Sequence, residues 1–190
     1  MAHQNMLQNV NYQIPHTKVS LKTHTVPDGV RSYSIDNLYK GKLPERIVLA
    51  MVTNHALSGH YLANPFNFQN FGLNFLVLKV NSQMVPRIPL EPNFTTNDYL
   101  REYTTVLEAI DYDIGPNIWS LTPASWAGGN NIYAFKISPG PIGPVRSNPV
   151  TGDVRLEMKF ANPTAGTITL ILLAEEPATL EIDKFGHVFI

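Results

Sequence analysis

The sequence predicts an all-β fold made of two facing antiparallel sheets. Short segments in which apolar and polar residues alternate recur along the 190-residue chain, and this alternation is typical of strands with one buried face. Turn-forming residues separate most of these segments. Residues 97–110 instead carry apolar side chains at helical spacing. Eight strands with loops of unequal length, and one helix in a long inter-strand loop, indicate an eight-stranded antiparallel jelly-roll sandwich.

The first strands follow from alternation and from an apolar run. Alternating segments predict strands near residues 10–14, 18–25 and 30–38. Residues 47–52 form an apolar run that is rich in β-formers and too short for a buried helix. Such a run predicts a strand that is buried on both faces.

A β-hairpin is predicted over residues 75–88, with Asn81-Ser82 as its tight turn. Pro86 and Pro89 lie on the returning arm. Because proline has no N–H to donate to a neighbouring strand, the returning arm is predicted to be an edge strand.

The predicted helix has several candidates for its N-cap. Thr95, Thr96 or Asn97 can cap it, and Thr95 followed three residues later by Asp98 resembles a capping box. Asp98 and Glu102 are spaced i, i+4 and repel each other slightly. This spacing predicts that both carboxylates face solvent.

The last strands close the predicted sandwich. Alternating or apolar segments predict strands over residues 132–137, 154–160 and 167–175, and the last of these should be central because it is nearly all apolar. Residues 179–182 and 187–190 are predicted to pair with each other. Residues 1–9 are expected to be a flexible N-terminal arm, and residues 10–190 a single jelly-roll domain.

The composition limits the classes of function. Charged residues make up 15% of the chain, whereas about 25% is typical. Either this is a stable β-protein with polar loops, or much of its surface is buried against other subunits. The net charge of −1 favours weak or no direct contact with nucleic acid. No signal peptide or apolar run of 18 residues occurs, so we expect a protein without a membrane partner, made in the cytosol.

Two long loops carry the candidate subunit contacts. They cover residues 115–129 and 138–153 and are rich in proline and glycine. Each tryptophan either fills the end of the sandwich or meets a partner, because an exposed indole is costly. The interface candidates in and beside these loops are Ile114, Trp119, Trp126, Pro141, Ile142 and Pro144.

A search for catalytic chemistry finds no supporting pattern. His55 and His60 are five residues apart, a spacing that separates two side chains on a helix or a strand and disfavours a metal pair. Glu175 and Glu176 are adjacent, so a strand sends them to opposite faces. The chain has no cysteine, which removes thiol catalysis and cysteine-ligated zinc. From the whole search we predict no enzyme activity, no metal and no cofactor. A carbohydrate- or receptor-binding jelly roll and a metal-dependent cupin-type enzyme are the alternatives to a structural protein.

Several ordered segments carry a family resemblance. They are NLYKGKLPERIVLAMVTNHALSG, NPFNFQNFGLNFLVLKVNSQMV, PLEPNF, YAFKISP and VRLEMKFANPTAGTITLILLAEEPATLEIDKFG. This succession resembles the C-terminal portion of the hexon-type major capsid proteins of Polinton (Maverick) elements and the related adintoviruses. The similarity covers residues 10–190.

The resemblance implies a double jelly-roll subunit, three of which form a pseudo-hexagonal capsomer of an icosahedral shell around double-stranded DNA. The implied partners are other copies of the chain, other capsid proteins and an N-terminal jelly-roll half, and the implied location is the virion capsid. This chain is long enough for only one jelly roll. A C-terminal fragment, a processed product and a free-standing single-jelly-roll relative therefore remain open.

Overall fold

Two antiparallel sheets make up the structure, a computed structural model that describes residues 12–110, 121–137, 150–183, 185 and 187–189. In chain order the elements are β1 (Tyr12–Val26), β2 (Ser32–Lys42), β3 (Arg46–Thr53), α1 (Asn54–Leu57), β4 (Leu73–Val80), β5 (Gln83–Leu90), α2 (Leu100–Ala109), α3 (Pro123–Ala127), β6 (Ile132–Lys136), β7 (Thr151–Phe160), β8 (Ile168–Ile182) and β9 (Val188–Phe189).

The strand order is that of a jelly roll. The first sheet has the order β1-β8-β3-β6, with the two-residue β9 beside β8, and the second has the order β2-β7-β4-β5. All paired strands are antiparallel. The chain passes repeatedly from one sheet to the other, which is the jelly-roll arrangement. The predicted fold class is therefore confirmed.

Alternate residues of the central strands point between the two sheets. Leu170 and Leu172 of β8, Leu49 of β3, Leu78 of β4 and Leu156 of β7 are fully buried. They belong to one hydrophobic cluster to which both sheets contribute. Full burial of each such side chain contributes roughly 1.5–3 kcal/mol, so this cluster holds the sheets together.

The first strand is longer than its sequence pattern predicts. β1 runs through both alternating segments and pairs with β8 from Tyr12 to Val26 without a shift in register. Pro15 does not interrupt β1. Because β1 is an edge strand, the backbone N–H groups along its outer edge need no hydrogen-bond partner on a neighbouring strand. The predicted arm, residues 1–9, lies outside the described residues.

The predicted hairpin is confirmed. β4 and β5 pair across Asn81 and Ser82, which both have positive φ, 48° and 68°, as a type I′ turn requires. β5, which carries Pro86 and Pro89, is an edge strand of the second sheet. The two strands of the hairpin therefore lie on either side of the predicted turn, as the sequence predicts.

The predicted N-cap of the long helix is wrong. α2 begins at Leu100, and its N-cap Tyr99 makes no side-chain cap hydrogen bond. Asn97 has a φ of 58°, outside the helical region, so the helix cannot start as early as predicted. Asn93 organises the preceding turn instead, since its Oδ1 accepts the N–H groups of Thr95 and Thr96.

His24 on the inner face of β1 makes stability depend on pH. Burial, and secondarily the charge of Lys22, lower the pKa of His24 from 6.5. The unfolded chain therefore takes up this proton at a higher pH than the folded chain does. The contribution of neutral His24 to stability is full above about pH 6.5 and is lost as the pH falls through its folded-state pKa.

We expect His24→Gln to lose less unfolding free energy than the wild type when the pH is lowered from about 7.5 to about 5. Urea unfolding at both pH values measures this difference. The same pH dependence in variant and wild type would contradict the assignment.

No helix among the described residues is both long and apolar enough to cross a membrane.

Candidate interaction surface

Four inter-strand connections meet at one end of the sandwich, which we call the loop end. Their described residues are 27–31, 54–72, 91–110 with 121–131, and 161–167. Backbone hydrogen bonds join them in pairs, including Gly29 N–H to Thr164 O at 2.9 Å and Phe68 N–H to Gly129 O at 2.8 Å. Hydrogen bonding between connections that are distant in sequence gives the loop end a defined shape.

Trp126 fills the interior of the loop end. It lies on α3, which begins after an N-cap at Thr122 whose hydroxyl accepts the Ser125 N–H. The indole is fully buried and donates from Nε1 to Ile132 O at 2.8 Å.

Aromatic rings enclose this indole. Phe94, Tyr99, Tyr103 and Tyr133 have ring centroids 5.4–6.3 Å from that of Trp126. Of the two roles that the sequence left open for this tryptophan, the structure supports filling the sandwich end. Trp126 is therefore corrected from a subunit contact to a core residue.

The other five interface candidates are Ile114, Trp119, Pro141, Ile142 and Pro144, and they lie outside the described residues. Their participation in an interface stays a prediction.

A surface that the sequence analysis did not identify lies on the β3–β4 connection. Leu57, Tyr61, Leu62 and Phe66 expose 41%, 88%, 76% and 73% of their surface. We call these four residues the 57–66 patch. Soluble monomers seldom keep large apolar side chains together on the surface, and such patches often mark interaction sites.

The segment that carries the 57–66 patch has its own local hydrogen bonds. Thr53 caps α1 by accepting the Ala56 N–H, and Asn64 Oδ1 accepts the Phe66 N–H at 2.9 Å. Phe68 then forms a β-bridge with Asn130. The patch is thus held between two anchored points of the loop end.

His55 and His60 lie next to the patch, and their predicted separation is wrong. Their ring centroids are 3.8 Å apart, because Gly59, with a φ of 88°, reverses the chain directly after α1. His60 also stacks on Tyr61, at 5.6 Å. In the described part of the chain, no three histidine or acidic side chains cluster as a metal site.

Glu102 is also not where the sequence predicts it. Its side chain is buried, and Oε1 accepts the Glu91 N–H at 3.1 Å. Arg101, also on α2, donates to the carbonyl oxygens of Ile88 and Pro89. These contacts fasten α2 to the end of β5, so Glu102 has a structural role that its spacing from Asp98 did not reveal.

Three further titratable groups, one at the loop end and two farther along β8, have structural surroundings. Burial is the main cause that raises the pKa of the Tyr133 hydroxyl far above its usual value. Glu175 pairs with Arg46 at 3.3 Å, while Glu176 accepts from the Ser20 hydroxyl at 3.1 Å. The two glutamates lie on opposite faces of β8, as predicted.

Comparisons with known proteins support the fold. No protein-family model matches the chain. A Caenorhabditis elegans protein described as uncharacterized protein F54H12.2 is 22% identical over 138 residues, which are 70% of this chain and 32% of that protein. The chain thus spans about a third of the curated relative that it matches.

This chain aligns with one solved structure at a TM-score of 0.53 and 11% identity. That structure is the crystal structure of PBCV-1 VP54 fitted into a cryo-EM reconstruction of the virophage Sputnik. The alignment covers 95% of this chain and 51% of VP54. A quasi-atomic model of the PBCV-1 virus capsid aligns with a TM-score of 0.49, at 10% identity and over 95% and 52% of the two chains. At such low identity, the VP54 similarity concerns the fold.

Proposed function

We propose that this chain is a structural jelly-roll subunit of a viral capsid, which assembles with copies of itself into capsomers of an icosahedral shell. The observation that carries the proposal is the fold shared with VP54 over 95% of this chain. VP54 has been fitted into a reconstruction of a virophage. The segments that resemble Polinton and adintovirus capsid proteins support the hexon-like form of the proposal.

The share of VP54 that aligns supports a more specific proposal. Only 51% of VP54 is matched, which is the proportion that one jelly roll of a double jelly-roll protein would give. We therefore include an N-terminal jelly-roll half and other capsid proteins among the proposed partners. Residues 10–190 are proposed to form one domain, located in the virion capsid.

The 57–66 patch supplies a physical reason for assembly. Burying apolar surface contributes roughly 25 cal/mol per Å², and specific interfaces bury about 1,200 Å² or more. Tyr61, Leu62 and Phe66 present large side chains on one anchored loop. Contact with another subunit removes them from water without a change in the fold. The interface candidates outside the described residues belong to the same proposal.

Mass photometry of the wild type over a range of concentrations, followed by electron microscopy, tests the proposed function. We expect oligomers that grow with concentration, and rings, trimers or shells in micrographs. A chain that remains monomeric at every concentration would overturn the proposal.

We expect the variant Tyr61→Ser/Leu62→Ser/Phe66→Ser to self-associate at least about tenfold more weakly than the wild type, which corresponds to about 1.4 kcal/mol. Its thermal stability should change little, because these side chains are exposed. The matched control is Met84→Ser/Ile88→Ser/Leu100→Ser, which removes three exposed apolar residues outside the patch. If the control weakens association as much as the patch variant does, the patch is not a specific contact.

A second function is favoured by one observation. Tyr61 is 88% exposed and is stacked on His60, so its ring is positioned to stack on a sugar. A carbohydrate- or receptor-binding module would use this ring. A glycan array with wild type and Tyr61→Ser distinguishes it from the capsid function, since the variant should then lose a specific glycan signal.

A further inference from the structure

The edges of the two sheets differ in how they are closed. The edge strands of the first sheet are β1 and β6, and those of the second sheet are β2 and β5. An open strand edge presents unpaired N–H and C=O groups and invites pairing with another chain, so proteins usually block it. Three of these four edges carry such a block in the described structure.

The second sheet is blocked at both edges. β5 contains Pro86 and Pro89. The Arg101 guanidinium also donates hydrogen bonds to the carbonyl oxygens of Ile88 and Pro89, at 2.7 and 3.1 Å. β2 changes register between Ile35 and Tyr39, an irregularity that disfavours the addition of a regular strand.

In the first sheet, β6 is blocked and β1 is open. β6 has five residues, and α2 packs against it. β1 has 15 residues, pairs with β8 without irregularity along its whole length, and has no second strand beside it in the described part of the chain.

The backbone groups that face the open edge of β1 can be identified. On β8, the carbonyl oxygen of Glu175 accepts the Glu45 N–H, so it points away from β1. Glu175 is opposite Val19 in register, and backbone direction alternates along a strand. The odd-numbered residues of β1 therefore direct their N–H and C=O groups to the open edge. The Tyr33 hydroxyl, which donates to the carbonyl of Thr25 at 3.1 Å, agrees with this assignment.

The side chains at these positions suit a second copy of the same strand. Thr17, Val19, Leu21 and Thr23 share the outer face of the sheet and carry no charge, and Val19 and Leu21 are 56% and 63% exposed. Antiparallel pairing about a two-fold axis at Ser20 puts Val19 opposite the other copy's Leu21, and each Thr17 opposite a Thr23. Apolar pairs and threonine pairs are favourable neighbours across antiparallel strands.

Two lysines lie within this stretch of β1, and Lys22 is engaged within its own subunit. The Lys22 ammonium donates to Leu38 O at 2.7 Å and lies 4.0 Å from the centre of the Tyr39 ring. Lys18 is in register with Glu176 of β8. The two-fold pairing brings Lys18 of one copy opposite Lys22 of the other, and the contacts of Lys22 with Leu38 O and the Tyr39 ring reduce the repulsion.

We infer that the open edge of β1 is a homotypic contact, in which β1 pairs antiparallel with β1 of a second copy and joins two first sheets into one. This inference deepens the proposed capsid function and rests on it, because it names one surface through which copies assemble. The contact supplies backbone hydrogen bonds from Thr17 to Thr23, and Val19 and Leu21 supply its apolar part.

Disulfide cross-linking tests the contact directly, because the chain has no cysteine of its own. At the two-fold axis, Ser20 of each copy forms a non-hydrogen-bonded pair with a Cα separation of about 4.5 Å, which a disulfide can span. We expect Ser20→Cys to give a covalent dimer under mild oxidation of the full chain. Ser34→Cys, the same substitution at an exposed position of β2, is the matched control and should stay monomeric on denaturing gels.

A charge on the open edge gives a second test. Leu21→Lys leaves the core unchanged, because Leu21 faces solvent in the single chain, and we expect it to weaken dimerisation by at least about tenfold. Circular dichroism checks that the variant is folded. If Ser20→Cys gives no dimer, or Leu21→Lys dimerises as the wild type does, the β1 contact is overturned. If Leu21→Lys dimerises more weakly than the wild type but Ser20→Cys gives no cross-linked dimer, a different strand occupies the edge. That result also overturns the β1 contact.

The outcomes separate this contact from the proposed function. Wild-type shells or capsomers with neither a Ser20→Cys dimer nor an effect of Leu21→Lys overturn the β1 contact and leave the capsid function supported. Conversely, a Ser20→Cys dimer in a chain that never forms larger assemblies supports the β1 contact and overturns the capsid function.

Discussion

Trp126→Ala is expected to lower the free energy of unfolding by about 3–5 kcal/mol, the usual cost of truncating a large buried aromatic residue. The indole is fully buried, and its loss leaves a cavity among Phe94, Tyr99, Tyr103 and Tyr133. The carbonyl of Ile132 also loses the hydrogen bond from Nε1. Urea unfolding followed by far-UV circular dichroism measures the change.

Trp126→Phe is the control for this prediction. It keeps an aromatic ring and loses the indole N–H, so we expect a smaller loss than with alanine. A loss below about 1 kcal/mol for Trp126→Ala would contradict the central position of the indole in the loop end.

Glu102→Ala is expected to cost about 1.5–3 kcal/mol, in the range of a hydrogen bond that involves a charged group. The substitution leaves the Glu91 N–H without its acceptor and loosens the attachment of α2 to the end of β5. Thermal and urea unfolding measure the effect.

Two comparisons make the Glu102 prediction specific. Glu102→Gln retains an oxygen acceptor and should lose less stability than Glu102→Ala. Glu108→Ala removes an exposed glutamate from the same helix and should change stability by less than about 0.5 kcal/mol. Equal effects of Glu102→Ala and Glu108→Ala would show that the buried hydrogen bond contributes little.

Strands could be predicted from the sequence because the spacing of apolar residues along a strand reflects which of its faces are buried. β3 is an apolar run and is buried almost throughout, while β7 alternates between exposed and buried residues. The β4–β5 turn was also accessible, since Asn81 tolerates the positive φ that a two-residue hairpin requires. Such local signals were sufficient for the fold class.

Long-range placement could not be read from local patterns. Glu102 is buried because Glu91, eleven residues earlier, presents its N–H to it, and helical spacing carries no information about that contact. His55 and His60 touch because Gly59 reverses the chain, which a rule based on regular helices or strands does not include.

The candidate surface was missed for a related reason. Residues 53–70 contain many polar, glycine and proline residues, which predict only a connection. The useful signal was the presence of Tyr61, Leu62 and Phe66 without the alternation that would bury them. Trp126 shows the opposite case, because its loop-like sequence context left open whether it fills the sandwich end or meets a partner, and it is a core residue.

The pairing of β1 with β8 also constrains how the protein is made. Val26 is opposite Ile168 and Tyr12 is opposite Ile182, so the first and last long strands of the described chain are neighbours. During translation β1 leaves the ribosome long before its partner has been synthesised, and contacts between such distant segments form slowly. The sheet that offers the β1 edge is therefore completed only after β8 has been synthesised, so the proposed pairing of two β1 edges has to wait for that strand.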